Sequence, residues 1–163
     1  MATTCGSASD FDFLMGSWNC HHRYLVQRLA DCHDWIEFDG DFAARKILNG
    51  FGNIDEGEIN LPGDPYVGVS LRTWDPDASR WSIYWLDSRR PGYLFPPVHG
   101  GFKKGVGTFY GDDSFKGRPI RARLTWSRIT ESSARWEQAF SLDEGNNWET
   151  NWYMDFTRDF TRV

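Results

Sequence analysis

Residues that interrupt helices recur along the whole of this 163-residue chain. Glycine, proline, aspartate and asparagine return roughly every eight to twelve residues, which is the spacing of short strands joined by turns. No window between them holds three turns of an amphipathic helix. Only residues 10–15 predict a helical turn, capped by Ser9 or Asp10 and ending before Gly16. The sequence therefore predicts an all-β protein.

The segments between these interruptions alternate apolar with polar residues, as strands with one buried face do. Trp81, Ile83 and Trp85, for example, alternate with Ser82 and Tyr84. The connections are short enough for hairpins, which favours an antiparallel meander. About ten strands are predicted on this basis, at residues 18–26, 35–42, 44–49, 66–74, 80–86, 98–102, 106–111, 119–127, 134–141 and 148–156.

The architecture that best accommodates such a meander is a closed up-and-down barrel, because closure removes the exposed edges of the sheet. A two-sheet sandwich is the alternative, although sandwiches commonly use Greek-key crossovers. The length fits one barrel domain spanning residues 1–163, with residues 1–9 expected to be flexible. Nine Trp, twelve Phe and six Tyr supply enough apolar surface for a large core.

Charge and composition exclude several classes of partner. The 23 acidic and 18 basic residues give a net charge of -5, which does not favour nucleic acid. No apolar run approaches the ~20 residues of a membrane span. The first ten residues lack the basic and apolar regions of a signal peptide, and the three cysteines fit a reducing compartment. We therefore expect a cytoplasmic monomer or homodimer.

Residues 141–148 have the spacing of an Asp-box, SxDxGx(S/T)W, with Asn147 at the hydroxyl position. In this pattern Asp143 accepts backbone N–H groups across a hairpin, Gly145 takes a positive φ and Trp148 covers the loop. Asp-boxes recur once per blade in propellers, but this chain has one copy and is too short for several blades. The motif is therefore interpreted as structural.

Gly16-Ser17-Trp18 is the GxW pattern that lipocalins and related calycins carry where the barrel floor closes. It is preceded by Phe-Asp-Phe-Leu at 11–14 and followed by Leu-Asn-Gly-Phe-Gly-Asn-Ile-Asp-Glu at 48–56. Further motifs follow at 70–72, 81–85, 109–111, 134–141 and 148–152. Over nearly its whole length the chain thus resembles a domain-of-unknown-function family of lipocalin-like, calycin-like barrels. The resemblance implies the barrel fold and supplies no catalytic residues to transfer.

The sequence predicts neither a metal nor a cofactor. His21 and His22 are adjacent on a strand and point to opposite faces, so they cannot bind one metal together. His33 lies in a polar turn. A haem bound through His22 or His99 remains conceivable, but no attachment motif supports it. The glycine motifs that bind dinucleotides and nucleoside triphosphates are also missing.

A set of polar residues alternates with the apolar ones on the strands. The ordinary arrangement puts this set on the outer face, with cross-strand ion pairs. A functional arrangement puts part of it inside, where arginines would hold an anionic or enolisable ligand. In that arrangement the predicted ligand-binding residues are Trp18, Tyr24, Arg72, Trp74, Tyr110, Arg121, Arg123 and Asn151.

The same arrangement offers groups for cofactor-free acid–base chemistry. Glu137 or Asp87 would accept a proton, and Tyr84, Tyr110 or His22 would donate one. Residues 87–97 form a long irregular connection that could cover the barrel mouth. The expected ligand is a mostly apolar small molecule, aromatic or polyketide- or terpenoid-like, and the expected activity is that of an isomerase, cyclase or lyase. A non-catalytic carrier or sensor and a structural barrel filled by side chains are the alternatives.

Overall fold

Ten antiparallel strands close into a barrel in the computed structural model, which describes residues 6–162. Each strand pairs with the next along the chain, and the last strand pairs with the first. The predicted up-and-down barrel is confirmed, and the sandwich alternative is wrong. The strands are β1 Gly16–Leu25, β2 Trp35–Ile47, β3 Gly52–Ile59, β4 Tyr66–Asp75, β5 Arg80–Asp87, β6 Val98–Lys103, β7 Val106–Phe115, β8 Arg118–Ser127, β9 Ser133–Ser141 and β10 Glu149–Arg158.

Three predictions about the elements were inaccurate. The strands predicted at 35–42 and 44–49 are one continuous strand, β2, which ends at Ile47, and β3 was not predicted. The inward positions of β3 include Asn53, Asp55 and Gly57, so the strand shows no apolar alternation. The predicted helical turn is a 3₁₀ turn at Asp12–Leu14, and neither Ser9 nor Asp10 caps it.

Residues 1–5, within the stretch predicted to be flexible, lie outside the described residues, while the Ser9 carbonyl accepts a hydrogen bond from the Asp12 N–H at 3.0 Å. In the described part of the chain, no helix has the length and apolar character needed to cross a membrane.

The 3₁₀ turn closes one end of the barrel. Phe11, just before the turn, lies between rings of the inner wall, with its centroid 4.9 Å from those of Trp81 and Phe102 in edge-to-face geometry. Trp18 is 0% exposed, and its indole N–H donates to the Leu14 carbonyl oxygen at 2.8 Å. Trp18 therefore lies at the closed end, as the GxW pattern predicts.

Arg158 at the end of β10 fastens this closure. Its guanidinium lies 4.0 Å from the centre of the Trp18 ring. It also donates hydrogen bonds of 2.6 Å to the carbonyl oxygens of Phe13 and Met15. One side chain thus provides hydrogen bonds for two backbone carbonyl groups at the 3₁₀ turn and covers the outer side of the Trp18 indole.

The wall between β5 and β7 is only partly made of paired strands. β5 pairs with β6 over Trp81–Ile83 alone, and the pairing of β6 with β7 ends at Tyr110. Beyond Tyr110, β7 has no strand partner on that side, and the loop of residues 88–97 lies there instead. Gly111 permits this approach, because a Cβ at Gly111 would collide with the Pro97 carbonyl oxygen.

The Asp-box hairpin has the structure that its residues predict. One carboxylate oxygen of Asp143 accepts the Asn147 backbone N–H at 2.8 Å and the Ser141 hydroxyl at 2.7 Å. Gly145 has φ +93°, and the Trp148 indole donates to its carbonyl oxygen at 3.0 Å. The hydrogen bonds from Asn147 hold the pKa of Asp143 at about 2. Every residue of the motif therefore has a role within the loop.

Candidate functional site

The interior of the barrel contains a cavity of about 250 Å³ with aromatic walls. Trp152 is central to these walls, lying edge-to-face against Trp136 at 5.1 Å and Trp85 at 6.2 Å between ring centroids. Gly68 allows Trp85 to lie across β4, because a Cβ at this position would collide with the indole. Large aromatic surfaces of this kind favour a flat, apolar ligand body.

A buried ion pair forms part of the cavity wall near the closed end. The Arg72 side chain is 4% exposed and donates to Asp55 at 2.6 Å and to Asn53 at 2.9 Å. The register of β3 with β4 pairs Asn53 with Arg72, so these side chains share the inner face. The Arg72 guanidinium also lies 5.1 Å from the ring centre of Phe11. The pair brings no net charge to the cavity.

Arg28 lies in the loop between β1 and β2 and lines the cavity. Its Nε and Nη2 atoms are buried and have no hydrogen-bond partner. Within residues 6–162 it forms no ion pair; its guanidinium instead lies 4.2 Å from the Tyr24 ring and 5.6 Å from the Phe140 ring. Burial lowers the pKa of Arg28, but a guanidinium stays protonated at neutral pH. The cavity therefore borders a positive charge that has no ion-pair partner within residues 6–162, although the nearby Glu149 carboxylate favours it.

The residue after Arg28 fixes its position. Leu29 has a φ of +55°, and its N–H donates to a carboxylate oxygen of Glu149 at 2.7 Å. Its carbonyl oxygen accepts a hydrogen bond from Arg118 at 3.2 Å. These bonds tie the loop to the starts of β10 and β8, so Arg28 is held in place by its neighbour's backbone.

Arg89 also lines the cavity, but its charge is balanced. It donates to both carboxylate oxygens of Asp87, at 3.2 and 3.0 Å, and lies 3.6 Å above the Tyr66 ring centre. Burial raises the pKa of Asp87, but hydrogen bonds from Arg89 and from the Trp85 indole outweigh this and leave it below its ordinary value. Asp87 is therefore ionised and paired with Arg89, and it orients Trp85 instead of serving as the proton acceptor predicted from the sequence.

His22 is 0% exposed and lies behind the cavity wall. Its Nδ1 accepts the indole N–H of Trp152 at 3.1 Å, so the neutral ring carries its own hydrogen on Nε2. The imidazole stacks on Phe38 at 4.7 Å. Burial, aided by the charge of His21, lowers the pKa of His22 to about 4. His22 orients Trp152 and does not reach the cavity as the predicted proton donor.

The predicted ligand-binding residues divide between three places. Tyr24 and Arg72 line the cavity, and Asn151 accepts a hydrogen bond at 2.9 Å from Gln138, which lines it. Trp18 and Trp74 are buried outside the cavity lining, where Trp74 lies 5.6 Å from Trp81.

The remaining predicted residues lie on the outer face of their strands, so their assignment to the cavity is corrected; they are Tyr84, Tyr110, Arg121, Arg123 and Glu137. Alternation sends the neighbours of these residues inward, such as Ile83, Trp85, Trp136 and Leu124. On the outer surface two of the arginines instead lie over aromatic rings, 4.9 and 4.4 Å from the ring centres of Tyr110 and Trp148.

Several polar residues of the site were not predicted from the sequence. Asn53 and Asp55 are two residues apart, so a strand at this position would have put both on the face that meets Arg72. Arg28 and Asp113 gave no comparable signal, because one lies in a loop and the other lies beyond the predicted end of its strand. Asp113 lines the cavity, and burial raises its pKa.

Comparisons with known proteins support the fold. No protein-family model and no curated protein sequence matches this chain. The solved structure of the S-type phycobiliprotein lyase CPES from Guillardia theta is similar, with a TM-score of 0.64 at 12% identity over 98% of this chain and 96% of that one. A redesigned β-barrel gives a TM-score of 0.47 at 11% identity, covering 97% and 99% of the two chains. This chain has a calycin-like barrel fold.

The charge balance of the inner ion pair can be tested by substitution. Arg72→Met leaves Asp55 buried without its cation, so we expect the free energy of unfolding to fall by about 3 to 5 kcal/mol. The double variant Arg72→Met/Asp55→Asn has no buried charge at this position and should recover most of that loss. Urea unfolding followed by tryptophan fluorescence measures both. A double variant as unstable as the single one would contradict this account.

The low pKa of His22 predicts a loss of stability in acid. Below pH 6.5 the unfolded chain binds a proton at His22, whereas the folded protein does not until about pH 4. Stability should therefore fall by about 3 kcal/mol over this range through His22 alone. Urea unfolding at a series of pH values should show a shallower pH dependence for His22→Gln. The exposed control His33→Gln should keep the wild-type dependence; an unchanged slope in His22→Gln would show that His22 does not cause it.

Proposed function

We propose that this barrel binds a flat aromatic organic anion, with the rings in the aromatic cavity and the acid group at Arg28. The observation that carries the proposal is the partly buried guanidinium of Arg28, whose Nε and Nη2 are buried without a hydrogen-bond partner in the described chain and which borders a cavity with indole walls. An acid group on a ligand would supply the missing partner.

Arg28 lacks hydrogen-bond partners for its buried Nε and Nη2 atoms in the described chain. Burying polar N–H groups without partners costs free energy, and the cost is larger for a charged group. The two other arginines of the cavity, Arg72 and Arg89, each have a carboxylate. A planar guanidinium fits the two oxygens of a carboxylate, so a bound organic acid would satisfy Arg28 in the same way.

The walls and size of the cavity restrict the body of the ligand. Indole rings on strands β5, β9 and β10 offer both faces and edges, which suits offset or edge-to-face contact with an aromatic ring. The volume of about 250 Å³ is just below the usual range for small-molecule sites. A ligand of about two fused rings suits such a space better than a long polyketide or terpenoid chain.

The interior chemistry favours binding over catalysis. Asp55 and Asp87 are committed to arginines, and His22 is neutral behind the wall. The carboxylate of Asp113 is free, but within residues 6–162 it has no hydrogen bond to another titratable side chain that could share in proton transfer. A carrier or sensor role needs no free acid or base, so it is the form of the function that we propose. The likeness to a phycobiliprotein lyase supports a ligand-handling barrel by analogy of fold alone.

The test compares an acid with its neutral amide in one scaffold. Tryptophan fluorescence is titrated with 1-naphthylacetate and with 1-naphthylacetamide. Wild-type protein should bind the acid at least about tenfold more tightly, the effect of one hydrogen bond to a charged group. Arg28→Met should bind the two equally, while its melting temperature stays unchanged or rises, because an unpaired buried charge has been removed.

The matched control is Arg121→Met, which removes a guanidinium from the outer face. This variant should keep the wild-type preference for the acid. Failure of wild-type protein to bind the acid, or a preference that survives in Arg28→Met, would overturn the proposal.

A further inference from the structure

Asp113 is a cavity carboxylate that forms no ion pair within residues 6–162. It lies at an inward-facing position of β7; the preceding Asp112 is exposed but also borders the cavity. Its one hydrogen bond in the described chain is to the N–H of its neighbour Ser114, at 2.7 Å. Two buried carboxylates of the interior, Asp55 and Asp87, have arginine partners. Asp113 is therefore the acidic counterpart of Arg28.

Asp113 lies at an incomplete part of the barrel wall. The residues that border the cavity here also border a wide groove on the outer surface, and they include Pro96, Gly111 and Asp113. In this region the loop of residues 88–97 replaces a strand partner for β7. The end of a ligand that reaches Asp113 thus meets the edge of the barrel interior.

Arg28 and Asp113 line the same cavity from different elements, the loop after β1 and strand β7. Arg28 lies 5.6 Å from the ring centre of Phe140 on β9, and this ring lies 5.8 Å from that of Phe115 on β7. Arg28 and Asp113 form no salt bridge with each other within residues 6–162, so a ligand with its acid group at Arg28 leaves Asp113 free for a second group of the ligand. A partly buried carboxylate without a partner favours an O–H or N–H donor at that end.

We propose that Asp113 is a second binding group, which accepts a hydrogen bond from a hydroxyl or amine on the ligand, remote from its acid group. The ligand class is thus a hydroxyaryl or aminoaryl carboxylic acid. This inference rests on the proposed function, since Arg28 sets the orientation of the ligand.

The probes are 6-hydroxy-2-naphthoate and 6-methoxy-2-naphthoate, which share the rings and the acid group and differ in the remote donor. Wild-type protein should bind the hydroxy acid about tenfold more tightly in fluorescence titrations, because the methoxy group cannot donate to Asp113. Asp113→Ala should bind both acids with equal affinity. Asp113→Asn, which keeps the shape of the side chain, should lower the preference to a few-fold at most.

The control Asp77→Asn changes an exposed carboxylate in the turn between β4 and β5, outside the cavity lining, and should keep the wild-type preference. Equal binding of the two acids by wild-type protein, or an unchanged preference in Asp113→Ala, would overturn this inference while leaving the role of Arg28 intact. If neither naphthoate binds wild-type protein, the proposed function fails together with it.

Discussion

The buried pair of Arg72 and Asp55 limits how tightly this barrel can fill. Two charges that are buried away from water are stable only as an ion pair. The pair therefore holds β3 and β4 in one register, and two positions in the interior cannot be apolar. Phe11 covers the pair from the closed end. The aromatic residues beyond it then enclose a space, and the barrel has a polar floor beneath an apolar cavity.

Charge balance explains which of the interior groups support the fold and which are available to a ligand. Arg72 and Arg89 have carboxylate partners, and Trp152 and Trp85 have their indole N–H groups bound by His22 and Asp87. These charges and indole N–H groups have partners within the protein, although the Nε of Arg72 has none in the described chain. Arg28 and Asp113 have no ion-pair partner within residues 6–162, and hydrogen bonds to Leu29 hold the Arg28 loop in place. Unsatisfied polar groups on a rigid frame are characteristic of binding sites.

The sequence predicted the closed barrel, the turn before Trp18 and the Asp-box loop, because these depend on local patterns. It did not predict β3, where polar Asn53 and Asp55 occupy the inward positions. Alternation separates two faces of a strand but does not say which is inside. On β4 the face with Ser70 and Arg72 is interior and Leu71 is outside, the reverse of the ordinary choice. The errors on β3 and β4 therefore occur where charge pairing between strands overrides hydrophobicity.

The central claim is that an aromatic acid lies inside the barrel with its acid group at Arg28. A crystal structure with 6-bromo-2-naphthoate tests it directly, because anomalous scattering from bromine locates the ring independently of the protein density. The account predicts bromine in the cavity towards Asp113, with the carboxylate within hydrogen-bond distance of the Arg28 guanidinium. Bromine in the outer groove, or a carboxylate that contacts no atom of Arg28, would contradict the account.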